Sequence, residues 1–256
     1  MSNYNPFNST IFNKIVMALT GLILVGFIIG HALGNLQVFL GREVFNTYAH
    51  FLHSTGELLW VARIVLLISV LLHIVTSMKL KALNSAAKPK KYAVSGYIKS
   101  TVYSRSMIYS GLAIFFFLVY HLMHFTMFVT NPEYANMEEV YGPKLETAAI
   151  VDTNNGQQLI DAGQGIFLRH DAYQMVIDGF SHPIVVVVYI LAVLFLAMHL
   201  SHAIQSMFQT LGFASPKFSP ISIYTSKLLA WGIFVAFAAI PISVLLFGLG
   251  KGVVGL

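Results

Sequence analysis

Ten histidines are distributed along this 256-residue chain: His31, His50, His53, His73, His121, His124, His170, His182, His199 and His202. Six of them, His31, His73, His121, His124, His199 and His202, lie inside long apolar runs. A neutral imidazole offers one donor and one acceptor nitrogen, changes charge near neutral pH and is a common metal ligand. Surrounded by Leu, Ile, Val and Phe it can bond a neighbouring helix, pass on a proton or coordinate a metal. Ionisable side chains are costly in a bilayer and are tolerated there mainly in such roles.

The elements that position these residues follow from composition. The chain is 57% hydrophobic and 10% charged, against about 25% charged residues in a soluble domain. Five apolar runs, approximately 15–36, 58–78, 107–129, 183–206 and 228–249, reach the length of about 20 residues that a bilayer requires. They are continuously apolar rather than alternating, which argues for helices and against barrel strands. The first is too long for a signal-peptide core and reads as a retained helix. Pro241 is expected to kink the fifth without ending it. The expected fold is an all-α integral membrane protein of one membrane domain, 1–256, with five transmembrane helices, the first four forming a haem-binding bundle. There is no cysteine, so disulfides, thiol chemistry and iron–sulfur clusters held by this chain are excluded.

Charge sets the expected orientation. Lys79, Lys81, Lys88, Lys90, Lys91, Lys99 and Arg105 occupy the connection between the second and third spans without an acid; Lys14, Lys217 and Lys227 flank the same side. All ten acids lie in the other two connections: Glu43, Glu57 and eight from Glu133 to Asp178. The positive-inside rule places the amino terminus in the cytoplasm and the carboxyl terminus outside. The net charge of +5 is thereby accounted for, and no nucleic-acid partner is expected. In the long outer loop, 130–182, the segment DAGQGIFLRHDAYQMVIDGF has near-helical apolar spacing. It predicts a short helix lying on the membrane surface.

Depth sorts the intramembrane histidines. At 1.5 Å per residue, His31 lies about 8 Å and His121 about 12 Å below the outer ends of their spans. His73 and His199 lie about 24 Å below theirs, again from the helical rise. Each of the first four spans contributes, and the fifth has no histidine. Two pairs result, first span with third and second with fourth, and facing imidazoles in a helix bundle can ligate a haem iron axially. Zinc fits worse, because no Cys, Asp or Glu completes a four-ligand site at these depths. Copper could use His and Met, but the histidines form separated pairs. A proton-relay transporter would be expected to carry intramembrane acids, and only Glu57, at a border, comes near. A weak repeat relates the first and third spans: TGLILVGFIIGH and SGLAIFFFLVYH each run hydroxyl, Gly, Leu, with His ten residues after the Gly. Spacing leaves His121 against His124, and His199 against His202, open as ligands; the companions are candidates for propionate or carbonyl contacts. Gly26, Gly30 and Gly34 fit either close helix packing or clearance for a flat macrocycle.

These residues resemble the five-helix, two-haem cytochrome b subunit of succinate:quinone oxidoreductases, over essentially the whole chain. The pieces that carry the resemblance are TGLILVGFIIGH, LLHIVTSMKL, SGLAIFFFLVYH and MHLSHAIQSMFQTLGF. The last, with HFLHSTGELLWVARI, is similar to the subgroup of Bacteroidetes- and Chlorobi-like bacteria. The resemblance implies an outer haem b on His31 and His121 and an inner haem b on His73 and His199. It implies a subunit of succinate dehydrogenase or fumarate reductase in the bacterial cytoplasmic membrane. Dicarboxylate chemistry would belong to a flavoprotein subunit carrying FAD, and an iron–sulfur subunit would dock on the cytoplasmic side. This chain would anchor both in the lipid bilayer and pass electrons to a membrane quinone, with menaquinone implied by the subgroup. His50, His53, Glu57 and His182 are predicted at the outer edge, where a quinone could be served; His53 or Glu57 would exchange its protons. Trp60 reads as an interfacial anchor and Arg63 as a propionate partner, with His124, His202 and His182 as further second contacts. Some two-haem members carry a glutamate two residues before the fourth-span ligand. Here that position is Ala197, which predicts electron transfer that responds to membrane potential. The competing readings are the cytochrome b of another quinone-linked dehydrogenase and a haem-free transporter with histidine relays.

Overall fold

The computed structural model describes residues 9–87, 101–141, 167–213 and 215–250. The first helix, α1 (Thr10–Leu36), starts at Ser9, whose hydroxyl accepts from the Phe12 amide. A 3-10 turn (Gln37–Leu40) and Gly41, at φ 98°, redirect the chain into α2 (Arg42–Ser54). After Gly56 comes α3 (Glu57–Ala86). A short α4 (Val102–Arg105) leads into α5 (Met107–Phe125). Strands β1 (Glu138–Tyr141) and β2 (Phe167–His170) pair antiparallel, Glu138 opposite His170 and Tyr141 opposite Phe167. Then follow α6 (Ala172–Gly179), capped by the Asp171 carboxylate, α7 (Pro183–Thr210) and α8 (Phe218–Phe247).

Five of these helices are long and apolar enough to cross a membrane: α1 with its following turn, α3, α5, α7 and α8. Their packing is that of lipid-embedded helices. Leu58, Val61, Ile64, Val65, Ile68, Leu71 and Val75 of α3 are exposed, while the residues it buries include Ser69 and Thr76. Thr20, Ser110, Ser201, Ser222 and Ser226 are likewise buried. Lipid offers no hydrophobic reason to turn Leu inward, so small and hydroxyl residues take the helix interfaces. The hydroxyls of Thr20, Thr76, Ser110, Ser201, Ser222 and Ser226 each bond a backbone carbonyl three or four residues earlier.

The spans differ from the expected limits mainly at their ends: α1 begins at Thr10, α3 and α7 run on to Ala86 and Thr210, and α5 stops at Phe125. Pro241 sits buried within an uninterrupted α8. The fifth helix packs on both α1 and α7, and Ala230 and Ile233 share a core with Ala18, Val25, Leu200 and Ile204. It is therefore integral to the bundle although it brings no histidine.

Opposite the lysine-bearing end, a cap closes the bundle, and here the structure departs from the sequence reading. The 161–180 segment does contain a helix, α6, but it does not lie on a membrane surface. Tyr173, Met175, Val176 and Ile177 are all buried. Three consecutive apolar residues cannot share one face of a helix, and α6 is covered on several sides, with α2 against it. The helix α2 and the two-stranded ladder were not expected. The cap rests on a core of Val38, Phe45, Tyr134, Tyr173, Val186, Tyr189 and Val244. Lys88, Lys90, Lys91 and Lys99 of the basic connection, and Glu146, Asp152 and Asp161 of the long loop, lie outside the described residues.

Candidate functional site

The two histidine pairs meet across the bundle. Near the cap, the rings of His31 on α1 and His121 on α5 have centres 5.8 Å apart. Toward the basic end, those of His73 on α3 and His199 on α7 are 6.4 Å apart. With metal–imidazole bonds of about 2 Å and ring centres about 1 Å behind each nitrogen, two imidazoles on opposite faces of one ion have centres about 6 Å apart. Both pairs therefore have the spacing of a bis-imidazole site. Each pair brings two imidazoles together, and among the described residues no group of three or more His, Asp or Glu could hold a metal ion.

The structure also separates the companions that spacing left open. The ring facing His31 is that of His121; His124 is buried, stacked on Tyr120 at 5.4 Å and tilted on Phe125 at 4.0 Å. The ring facing His73 is that of His199, with His202 half-buried one turn along α7.

Hydrogen bonds on Nδ1 distinguish the pairs further. At the basic end, the Thr20 hydroxyl oxygen lies 3.3 Å from His73 Nδ1, and the Ser110 hydroxyl oxygen lies 3.2 Å from His199 Nδ1. The hydroxyl proton of Thr20 points to the Val16 carbonyl at 2.8 Å, and that of Ser110 to the Ser106 carbonyl at 3.0 Å. With that proton committed, each oxygen accepts from the imidazole Nδ1–H, and Nε2 keeps its lone pair. Gly21 and Gly111 follow the two hydroxyls. A Cβ at Gly21 would lie 3.5 Å from His73, and one at Gly111 would lie 3.6 Å from His199. At the capped end, the Tyr189 hydroxyl sits 3.2 Å from His121 Nδ1 and 3.0 Å from His124 Nδ1. A phenol has one proton, so one imidazole accepts it and the other donates. His31 stacks on Phe27 at 5.3 Å, meets Phe237 of α8 at 5.7 Å, and has the Asn35 amide 3.4 Å from its ring nitrogens. Sequence reasoning assigned no role to Thr20, Ser110 or Tyr189. The repeat contained the signal for the first two, since both are its opening hydroxyl.

The glycines of α1 divide. A Cβ at Gly34 would meet the Tyr48 hydroxyl at 2.7 Å, so Gly34 permits close approach of α2, whereas Gly26 and Gly30 have nothing within 4 Å. Beside His73 a small cleft of about 60 Å³ opens between α1 and α7, lined by Met17, Gly21, Val25, Ile204 and Met207. It adjoins a wider notch of about 420 Å³ that Lys14, Ser206 and Gln209 line at the basic end. Ala197 is completely buried, which leaves no room for a glutamate two residues before His199.

The predicted edge residues divide between two surroundings, His50 and His53 near each other and His182 near His124. His50 lies 3.4 Å from the Tyr141 hydroxyl. Burial lowers the His53 pKa, and the nearby charges of Arg63, His170 and His50 lower it further. Arg63 lies over Trp60, 5.0 Å from its ring centre, as an interfacial pair. Glu57 opens α3 close in sequence to His53, at the end of the helix that favours an anion. His182, at the N-cap of α7, belongs instead to the electrostatic surroundings of His124, with Asp178.

A network of charges locks the cap above the His31–His121 pair. Arg169 of β2, itself buried, bonds Glu43 at 2.6 Å, Glu139 at 2.7 Å and the Thr47 hydroxyl at 2.9 Å. Arg42 pairs with Asp171 and with Glu139. The Asn46 amide donates to Asp171 at 2.8 Å and Glu139 at 2.7 Å, and its oxygen accepts from the Tyr173 amide. Burial alone would raise the Asp171 carboxyl, but hydrogen bonds from Arg42, the Gln174 amide and Asn46 hold it below the ordinary carboxylate range.

The fold and the paired imidazoles define a multi-pass helical membrane protein with two half-buried histidine pairs at different depths. No family model matches the chain, and neither a curated protein nor a solved structure is significantly similar to it.

Proposed function

We propose that this protein is the membrane anchor and electron-transfer subunit of a succinate:quinone oxidoreductase. In this reading His31 with His121, and His73 with His199, hold two haems b. The observation that carries it is the placement of four imidazoles, one from each of four spans, as two facing pairs with ring centres 5.8 and 6.4 Å apart. Their Nδ1 contacts add support: three of the four Nδ1 atoms meet a hydroxyl. Nδ1 bonds of this kind orient a ligating histidine and set its tautomer.

Haem held between two of these imidazoles would supply one-electron transfer. The chain's part is to hold, orient and insulate. The four histidines would hold the groups, while exposed Leu, Val and Phe surfaces meet lipid and keep water out. The two levels are set by the helices themselves. On α1 and on α5, the ligand of the capped-end pair lies 11 residues from the hydroxyl serving the other pair, about 16 Å along the axis. His53 and Glu57 are the groups proposed to exchange protons with a quinone, of which menaquinone is implied by the sequence resemblance. His53, whose pKa burial lowers, would serve as proton acceptor from a quinol. The resemblance likewise supports a flavoprotein and an iron–sulfur subunit as partners, docked at the basic, cytoplasmic end of a bacterial cytoplasmic membrane.

A reduced-minus-oxidised optical spectrum of the purified protein tests the core of this reading: two low-spin haems b per chain are expected, and their absence would overturn it. Mass spectrometry of copurifying chains and extracted quinone tests the assignment to a succinate:quinone complex, which recovery with unrelated partners would exclude.

A further inference from the structure

The repeat in α1 and α5 has a consequence that the ligand assignment alone does not contain. In each segment the closing histidine belongs to the capped-end pair, while the opening hydroxyl touches a histidine of the basic-end pair on a neighbouring helix: Thr20 touches His73, and Ser110 touches His199. The two hydroxyl contacts match closely, although His73 has in addition a backbone hydrogen bond with Met17. The distances are 3.3 and 3.2 Å, and each hydroxyl is buried with its proton on its own helix carbonyl. Each is followed by a glycine that lies beside the imidazole, where an added Cβ would stand in ordinary contact with the ring at 3.5 and 3.6 Å. The helix pairs α1–α3 and α5–α7 thus present their basic-end imidazoles in the same way, one from each side.

We infer that Thr20 and Ser110 are positioning residues for the basic-end haem, so that each repeated helix serves both centres at once: it ligates one and orients the ligand of the other. This rests on the bis-histidine reading above. A buried Nδ1–H needs an acceptor, and within a span there is no water to provide one. By taking that proton's bond, the hydroxyl fixes the tautomer with Nε2 free, sets the rotation of the ring and makes the imidazole a stronger electron donor. A stronger donor favours the oxidised metal. The capped-end pair lacks this arrangement, because its Tyr189 hydroxyl is shared between His121 and His124.

The test uses the complete complex in native membranes and four variants: T20V, which keeps the shape and removes the hydroxyl; T20S, which keeps the hydroxyl; S110A; and H31A. Redox titration and low-temperature electron paramagnetic resonance read the two haems separately. In T20V and S110A the haem that survives in H31A is expected to show a raised midpoint potential and an altered g-value. It should also be lost about 10–100-fold more readily than in the parent, the usual effect of removing such a partner. The haem that H31A removes should be unchanged in T20V, although Thr20 and His31 share a helix, and T20S should restore the parent signals. Two haems with unaltered signals in T20V and S110A would overturn this proposal and leave the bis-histidine reading standing. A shift of equal size in T20S would assign the effect to packing and overturn it too. Absence of haem from the parent protein would overturn both.

Discussion

The two histidine pairs are built from the same side chain and differ in almost everything around it. At the basic end, His73 and His199 each have one hydroxyl on Nδ1, small residues against the ring, and spans whose outer surfaces are apolar. At the capped end, His121 belongs to a phenol–imidazole cluster with Tyr189 and His124, packed among Phe117, Tyr120 and Phe125. Asp178 and His182 lie in the electrostatic surroundings of that cluster, and a salt-bridged cap sits above it. One pair is enclosed by hydroxyls and small residues; the other adjoins further ionisable groups, Asp178 and His182. Under the proposed function, the first would suit electron relay and the second a centre that works beside a proton-requiring quinone.

Removing a ligand breaks the comparison most completely. H31A and H73A are each expected to halve the haem content measured by pyridine haemochrome, with the remaining haem keeping its parent spectrum. Loss of both haems in either variant would mean that the two centres are not independently built.

Breaking the cap should come next. D171N removes a carboxylate whose side chain is 3% exposed and which Arg42 and Asn46 both contact. Removing one partner from a buried pair costs about 3 kcal/mol, so the cap should loosen and the melting temperature in detergent should fall. The capped-end haem should be perturbed and the other should not. The pH dependence follows from the sign of the shift. Asp171 is held below its ordinary value, so its contribution is present above a pH of about 4 and is lost as pH falls through the lower folded value. D171N should melt with a flatter acid limb than the parent.

A smaller and more local effect is expected of Y189F. It leaves the His121 and His124 Nδ1 atoms without their shared hydroxyl, at a cost of about 1–3 kcal/mol for a buried unsatisfied group. The capped-end haem signal should shift while the basic-end signal stays fixed, the mirror image of T20V. The smallest expected effect belongs to His53, whose pKa is lowered. Its stabilising contribution is present above about pH 6.5 and is lost as pH falls through its folded pKa. Replacing it with Gln should flatten the melting temperature below that pH, and an unchanged profile would place His53 in an environment no different from water.

How much of this was legible in the sequence follows the range of the interactions. Span length, apolar character and the depth of each histidine are local properties, and the pairing of first span with third and second with fourth followed from depth, whereas spacing left His121 against His124 and His199 against His202 open. The structure brings His31 to His121 and His73 to His199. Asn46 could not be read in the same way: a polar residue in a short connection proves to be fully buried because Glu139, Asp171 and Tyr173, 93 to 127 residues away, converge on it. Nor could α6, whose apolar run reads equally as a surface helix until α2 and the ends of α7 and α8 cover it.

The sequence by itself determined that five helices cross a membrane, because a bilayer leaves few alternatives to a long apolar run. It also determined that imidazoles lie at two depths, because helical rise is fixed. Only the tertiary structure decided which way each ring faces and what holds it there. His121 rather than His124 meets His31 because the rotation of α5 turns that ring toward α1. Thr20 and Ser110 acquire a task because α3 and α7 bring imidazoles against them. Depth is a property of one helix, whereas facing is a property of two.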